Sequence, residues 1–242
     1  MKEEKTSNKK VVLDFLALLI WPILVILLSQ FCLSFLFFLF FGENSDSPLL
    51  VTLYSAAVYA VSLFLIIFVP KKLLKKWQSD RESLGLSGLP TFTDIGLAPV
   101  GFGVYLLLSA LLTKIFELFP WFNAAEDQNV GYSFLNGAPE RILAFLALAL
   151  VAPIAEEIIF RGWLYGKLRE RVPKKISIPV SIFLVSLIFG LLHGQWNVGI
   201  NVFAMSVVVC LMREITGTIY SGILLHILKN AVAFYLVFII GV

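Results

Sequence analysis

The sequence predicts an all-α membrane protein, a polytopic bundle of transmembrane helices with about seven spans. Of its 242 residues, 59% are hydrophobic and only 14% are charged, whereas soluble domains have about 25% charged residues. The mean hydropathy is +0.91. A soluble core of this length could not bury so much apolar surface, but a bilayer requires runs of about 20 apolar residues. The composition therefore excludes an ordinary soluble globular protein.

The charged residues indicate membrane topology and not a nucleic-acid partner. The formal net charge is +3, but the charges form short clusters between apolar runs and no long basic stripe. The two cysteines, Cys32 and Cys210, lie inside apolar runs and have no metal-ligand spacing. We therefore expect the lipid bilayer to be the principal surroundings of the chain.

The first span is predicted at 11–41, after a polar tail at 1–10. This apolar run is too long for a signal peptide, whose apolar region has about 7–15 residues. Further runs predict six spans, at about 48–69, 95–119, 140–160, 177–194, 198–213 and 217–241. The total is therefore about seven, within a range of six to eight. Because the chain shows no internal repeat and no long linker, we expect 11–242 to form a single integral membrane domain.

The third span is the most irregular of the set. Glycine and proline dilute its apolar character, and Lys114 and Glu117 lie near its end. We expect a tilted, interrupted or partly interfacial helix in which these two residues pair at i,i+3.

The orientation follows from the distribution of Lys and Arg, which favour the cytoplasmic side. Four of the 19 lie in the N-terminal tail, five in 71–81 and five in 167–175, whereas the loops 42–47 and 120–139 carry acids and no Lys or Arg. With one crossing per span, the three basic clusters share one side. The N-terminus is therefore predicted to be cytoplasmic and, with seven spans, the C-terminus lies outside.

Two basic segments with apolar and aromatic residues, 71–78 and 163–171, are expected to lie at the membrane interface. The first reads KKLLKKWQ, which is typical of an anchor that follows a helix. The second is expected to be a helix end that emerges among the headgroups.

Two adjacent carboxylates, Glu156 and Glu157, lie in an apolar helix with Arg161. Ionisable residues at membrane depth are costly and are functional candidates by default. Since i and i+4 share a helix face and adjacent residues point about 100° apart, Glu157 and Arg161 pair and Glu156 points elsewhere. Glu156 is then a candidate general base. The alternative is a buried ion-pair network that fixes helix packing, which we favour for Glu157 and Arg161 but not for Glu156.

The two histidines of the chain, His193 and His226, lie in two further apolar segments. His226 and Asn230 are spaced i,i+4 and share a helix face. Glu156 and His193 each lie about 22–26 Å along their helices from the basic turn at 172–175, so they can meet. His226 reaches the same layer with a modest tilt or kink. The sequence thus predicts one polar site formed by three helices.

These motifs together resemble a known family. The ordered set Glu156-Glu157-x-x-x-Arg161, Phe189-x-x-x-His193 and His226-x-x-x-Asn230 resembles the signature of the CAAX prenyl endopeptidase and bacteriocin-processing (CPBP or Abi) intramembrane proteases, which include lysostaphin resistance protein A-like proteins. The resemblance covers about 140–235, and the first half of the chain matches only as apolar spans. Three motifs in this order on separate helices are more specific than any one alone.

The resemblance implies a glutamate-dependent peptidase of a prokaryotic cell membrane. Glu156 would deprotonate a water that His193 helps to hold, while His226 and Asn230 would stabilise the oxyanion. Glu157 and Arg161 would support them. The implied substrate is a membrane-associated or lipidated, CAAX-like peptide, and the implied mechanism needs no cofactor.

Three alternatives stay open. Glu156, His193 and His226 are also a possible zinc set, although the chain has no HExxH helix and we favour the metal-free mechanism. The protein could instead be a non-catalytic scaffold or bacteriocin-immunity protein of the same fold. A transporter would also use buried His, Glu and Arg, but transporters commonly contain inverted repeats and the sequence has no matching halves.

Overall fold

A computed structural model describes residues 2–42, 47–128, 131–132, 135 and 137–241, with the side chains of 2–9 excepted. Within these ranges the chain is helical and contains no strand. The helices are α1 (Lys2–Phe41), α2 (Pro48–Lys72), α3 (Phe92–Phe116), α4 (Ala138–Arg171), α5 (Ser177–Leu191), α6 (Trp196–Thr216) and α7 (Tyr220–Ile240). The all-α, multi-pass prediction is confirmed. Residues 43–46, in the predicted acidic loop, lie outside the described residues.

Each of the seven predicted apolar runs contains one helix, although the helices are not equivalent. In the described part of the chain, six of them are long and apolar enough to cross a membrane; α5 is apolar but has only 15 residues. The third span is a continuous helix, not an interrupted one, and the predicted ion pair between Lys114 and Glu117 is present at 2.7 Å. Which end of the bundle faces the cytoplasm stays a prediction.

Helix α4 is the longest after α1 and the least regular. Two segments, Leu146–Val151 and Glu157–Tyr165, have π-helical hydrogen bonding, and the short α-helical stretch between them contains Pro153. A proline nitrogen cannot donate, so the regular ladder cannot continue through this position. π-helical turns occur frequently at functional sites. The apolar pattern of the sequence did not predict them.

The other helices enclose the second half of α4. Helices α5 and α6 form a hairpin, α3 packs across α6 and α7, α1 packs along α2, and α2 packs against α4. The hairpin is close because Gly190 and Gly199 face each other: a Cβ on Gly190 would lie 2.8 Å from the carbonyl oxygen of Gly199. Trp163, Tyr165 and Leu168 of α4 are buried in the main hydrophobic core.

The loop between α2 and α3 folds back against α4. The guanidinium of Arg213, on α6, donates to the carbonyls of Ser83 at 2.9 Å and Gly162 at 3.2 Å. Gly162 and Gly166 give the loop room, because a Cβ on either would lie 3.1 Å from a loop carbonyl. The expectation that 163–171 emerges among headgroups was therefore wrong for its first six residues, which this loop helps to cover.

A single carboxylate, Asp94, joins α3 to α7. It forms a capping box with Thr91 at the start of α3, and its other oxygen accepts from the Thr218 hydroxyl at 2.9 Å. With 1% of its surface exposed, Asp94 fixes where α7 begins relative to α3. That start determines where the later residues of α7 lie.

The variant Asp94→Ala should lower the free energy of unfolding by about 1–3 kcal/mol, because it removes a helix cap and the hydrogen bond from Thr218 that joins α7 to α3. The thermal midpoint of the purified protein in detergent measures this effect. Glu82→Ala, at an exposed position of the neighbouring loop, is the control and should leave the midpoint unchanged. Equal midpoints for the two variants would show that Asp94 does not anchor α7.

Candidate active site

The two adjacent glutamates of α4 have different surroundings. The side chain of Glu157 is completely buried, whereas 16% of the Glu156 side chain is exposed. Neighbouring residues of a helix point in different directions, and here one carboxylate points into the protein and the other toward an accessible space. Glu156 is thus the carboxylate that a water molecule can reach.

Glu157 forms the ion pair that the sequence predicts. Its Oε1 lies 3.1 Å from Nη1 of Arg161, and both side chains are fully buried. The guanidinium carbon of Arg161 lies 4.5 Å from the centre of the Phe189 ring, so the ring face provides a second favourable contact for the cation. Paired in this way, the two opposite charges can remain in an apolar interior.

His226 brings α7 to the same two glutamates. Its Nδ1 lies 2.9 Å from Oε1 of Glu157, and its Nε2 lies 3.7 Å from Oε2 of Glu156. One turn earlier, Gly222 permits this approach: a Cβ there would lie 2.4 Å from Cγ1 of Val209 and 3.3 Å from Oε2 of Glu157. The absence of a side chain at 222 is therefore part of the site.

His193 lies in the turn after α5, and one hydrogen bond orients its ring. Nδ1 is 2.8 Å from the carbonyl oxygen of Phe189. A carbonyl can only accept, so Nδ1 carries the proton and, in the neutral ring, Nε2 keeps a lone pair. Glu156 and Lys229 both lie close enough to interact with this ring electrostatically.

The ring of Phe189 lies between the two histidines. Its centre is 4.9 Å from that of His193 and 6.1 Å from that of His226, and both pairs are edge-to-face. Phe189 belongs to one of the three sequence motifs, but the motif alone predicts no role for its ring. Its contacts make it the packing residue that sets the separation of the imidazoles.

Asn230 and His226 share one face of α7, as predicted, and both contact α4. The side-chain amide nitrogen of Asn230 donates to the carbonyl of Leu148 at 2.8 Å. Leu148 belongs to the first π-helical segment. The predicted oxyanion role of Asn230 therefore depends on the second hydrogen of its amide nitrogen, because the first is used here.

Tyr59 is a site residue that sequence reasoning missed. Its hydroxyl donates to Oε1 of Glu156 at 2.5 Å, across 97 residues of sequence. A tyrosine is uncharged at neutral pH, and Tyr59 lies in the apolar run of α2 without a local motif, so its role could not be predicted from the sequence. Asn201, on α6, accepts from the Tyr105 hydroxyl and donates to the Ser109 hydroxyl, both on α3.

The zinc alternative can be compared with the donor geometry. Among the residues with described side chains, no three or more His, Cys, Asp or Glu side chains are grouped as metal ligands. Nδ1 of His226 is directed to Glu157, and Oε1 of Glu156 accepts from Tyr59. Nε2 of His226 and Oε2 of Glu156 are not used in these two contacts, so the metal-free mechanism stays a proposal.

The fold and the site define an integral membrane protein with a polar cluster of carboxylates and imidazoles enclosed by helices. Residues 138–232 match the model of a family described as type II CAAX prenyl endopeptidase Rce1-like. The segment that carries Glu156, His193, His226 and Asn230 is thus the segment that matches, and the resemblance inferred from the motifs is confirmed.

A curated relative points to the same class. The chain is 27% identical over 175 residues to the protein named "Putative membrane peptidase YdiL" of Bacillus subtilis (strain 168), an alignment that covers 72% of this chain and 65% of that protein. The match thus spans just under two thirds of the relative's own length. No solved structure matches the chain.

The variant Arg161→Met should destabilise the protein by about 3–5 kcal/mol. It leaves the buried carboxylate of Glu157 with the imidazole of His226 as its one remaining described partner. Unfolding in detergent, followed by tryptophan fluorescence, measures the change. Lys114→Met breaks an exposed helical ion pair of the same kind, in which 78% of the lysine side chain is accessible, and should cost no more than about 1 kcal/mol.

The double variant Glu157→Gln/Arg161→Met separates charge from packing. It should be more stable than Arg161→Met alone, since it removes both charges together. Equal stability of the single and double variants would mean that Arg161 contributes through its volume only.

Proposed function

We propose that this protein is an intramembrane endopeptidase that hydrolyses a peptide bond of a membrane-associated or lipidated, CAAX-like peptide. The observation that carries the proposal is the position of Glu156: a partly accessible carboxylate that faces His226, whose ring packs on Phe189 together with that of His193. The similarity of 138–232 to CAAX prenyl endopeptidases supports the substrate class. The proposed setting is a prokaryotic cell membrane with the N-terminus in the cytoplasm.

Glu156 is the proposed general base. Its Oε1 accepts from Tyr59 at 2.5 Å, which holds the carboxylate in one orientation. Oε2 is directed toward the imidazole of His226 and is the oxygen left to take a proton from water. General-base catalysis of this kind contributes about 10²–10⁴-fold in rate.

His193 is the proposed second hydrogen-bond partner of the attacking water. The hydrogen bond from Nδ1 to the Phe189 carbonyl leaves the lone pair of Nε2 as an acceptor for one hydrogen of that water. The other hydrogen is directed to Glu156, so an oxygen lone pair of the water is free to attack the scissile carbonyl carbon. The proton taken by Glu156 then passes to the leaving amine.

His226 and Asn230 are the proposed oxyanion donors. A ring of His226 that carries both protons donates from Nδ1 to Glu157 and from Nε2 to the oxygen of the tetrahedral intermediate. Glu157 and Arg161 hold that ring in place through the buried contacts at 2.9 and 3.1 Å. Donors fixed in advance in a site of low dielectric stabilise developing negative charge most effectively.

Glu156→Gln should lower kcat/KM for a prenylated CAAX peptide by at least about 10²-fold, because the amide accepts the Tyr59 hydrogen bond but cannot take a proton. Cleavage by the purified protein in liposomes, followed by mass spectrometry, measures the loss, and an unprenylated copy of the peptide tests the need for lipid. Glu117→Gln, at the exposed end of α3, is the matched control and should cleave at the wild-type rate.

Wild-type cleavage by Glu156→Gln would rule out the proposed base. If no peptide is cleaved and the alanine variants of the site keep full biological activity, the scaffold function replaces the enzyme. Activity that is lost with a chelator and restored by zinc would replace the metal-free mechanism.

Tyr59→Phe should lower kcat about 10-fold or more and leave KM nearly unchanged, since it removes a hydrogen bond to a charged base and no contact with substrate is assigned to it. Tyr54→Phe, on the same helix, removes a hydroxyl that donates to the Gln30 carbonyl of α1 and should change neither constant. A rise in KM at constant kcat would place Tyr59 in substrate binding instead.

A further inference from the structure

A cavity with both charged and apolar lining residues lies apart from the proposed active site. Its volume is about 650 Å³, and it lies between the first part of α1, the segment after α2 and the end of α4. The polar side chains that line it are Lys10, Asp14, Lys76 and Arg171. Three cations and one carboxylate give this cavity an excess of positive charge.

The single carboxylate is already paired. Asp14 Oδ1 lies 2.7 Å from Nζ of Lys76, and Oδ2 lies 3.9 Å from Nε of Arg171. Arg171 also lies 3.6 Å from Oε2 of Glu170, through Nη1. Lys10, Lys76 and Arg171 still exceed these two carboxylates by one positive charge, which is available to an anion.

Lys76 is held at the cavity by a strained segment. The residues on either side of it, Lys75 and Trp77, have φ angles of +50° and +47°, which are uncommon for residues other than glycine. The indole of Trp77 compensates for this strain: it is buried, packs between Trp21 and Trp163, and directs its N–H toward Asp14. The strain thus positions a lysine whose side chain remains 55% exposed.

The surroundings of the cavity are apolar. Val11 and Leu13 line it, and Leu73 and Leu74 precede the strained segment; all four side chains are exposed. In a helical membrane protein, such exposed aliphatic surface beside a basic cluster lies where acyl chains meet headgroups. A ligand with an anionic head and apolar chains satisfies both surfaces, whereas a soluble anion satisfies only one.

We propose that this cavity binds the phosphate headgroup of an anionic phospholipid such as phosphatidylglycerol. Lys10, Lys76 and Arg171 contact the phosphate, and the exposed aliphatic side chains contact the acyl chains. Basic pockets at this level between membrane helices suit such headgroups. The site is independent of the peptidase chemistry.

The test measures which lipids the purified full chain retains after exchange into mixed micelles that contain equal amounts of phosphatidylglycerol and phosphatidylcholine. The wild type should retain phosphatidylglycerol preferentially, as measured by mass spectrometry of the co-purified lipid. In the double variant Lys10→Gln/Arg171→Gln, the ratio of retained phosphatidylglycerol to phosphatidylcholine should fall about fivefold for each charge removed. The double variant keeps the contact between Lys76 and Asp14, and the thermal midpoint verifies that it folds.

The control is Lys174→Gln/Lys175→Gln, which removes two exposed charges from the neighbouring turn but none from the cavity. It should keep the wild-type preference. An equal loss in the control would show that the preference comes from general surface charge and would overturn the proposed site. The absence of any preference in the wild type would also overturn the proposal. Stabilisation by inorganic phosphate alone, without lipid retention, would identify a soluble anion site instead.

Discussion

The buried carboxylate of Glu157 is the group around which three helices are arranged. An isolated charge in an apolar interior costs several kcal/mol, and here Arg161 from the same helix and His226 from α7 lie 3.1 and 2.9 Å from one of its oxygens. Phe189 of α5 covers the other side of the arginine. Helices α5 and α7 must therefore approach α4 closely, and the glycine at 222 makes that approach possible. Glu156, the residue preceding Glu157, then faces the space that remains.

The irregular hydrogen bonding of α4 serves the same arrangement. π-helical segments lie on both sides of the Pro153 stretch, and the carbonyl of Leu148 in the first of them accepts from Asn230. Helix α7 is thus joined to α4 at Asn230 and at His226, one turn apart. At its start, α7 is tied to α3 by Asp94. These fixed points along α7 determine the height at which its imidazole lies.

What could be predicted from the sequence depends on the distance over which each interaction acts along the chain. The apolar runs predicted the helices, and helical spacing predicted the pairs Glu157–Arg161 and Lys114–Glu117, because both follow from local geometry. The contacts of Tyr59 with Glu156 and of Asp94 with Thr218 join residues 97 and 124 positions apart, and no local pattern contains that information. Trp163 was misplaced for a similar reason: its burial depends on a loop from the preceding part of the chain that folds back over α4.

The shortness of α5 bears on how the proposed reaction obtains its second reactant. Fifteen residues extend about 22 Å, less than the ~30 Å of a bilayer core. The turn that carries His193 thus lies within the thickness of the bundle, and non-helical backbone at that depth has to be enclosed by protein or to border water. Part of the enclosure comes from outside the spans: Gln195 and Asn197 donate to the backbone carbonyls of Asp127 and Glu126 at 2.9 and 2.6 Å. In the proposed reaction, a short helix under a polar loop would give water a route to a depth that lipid otherwise keeps dry.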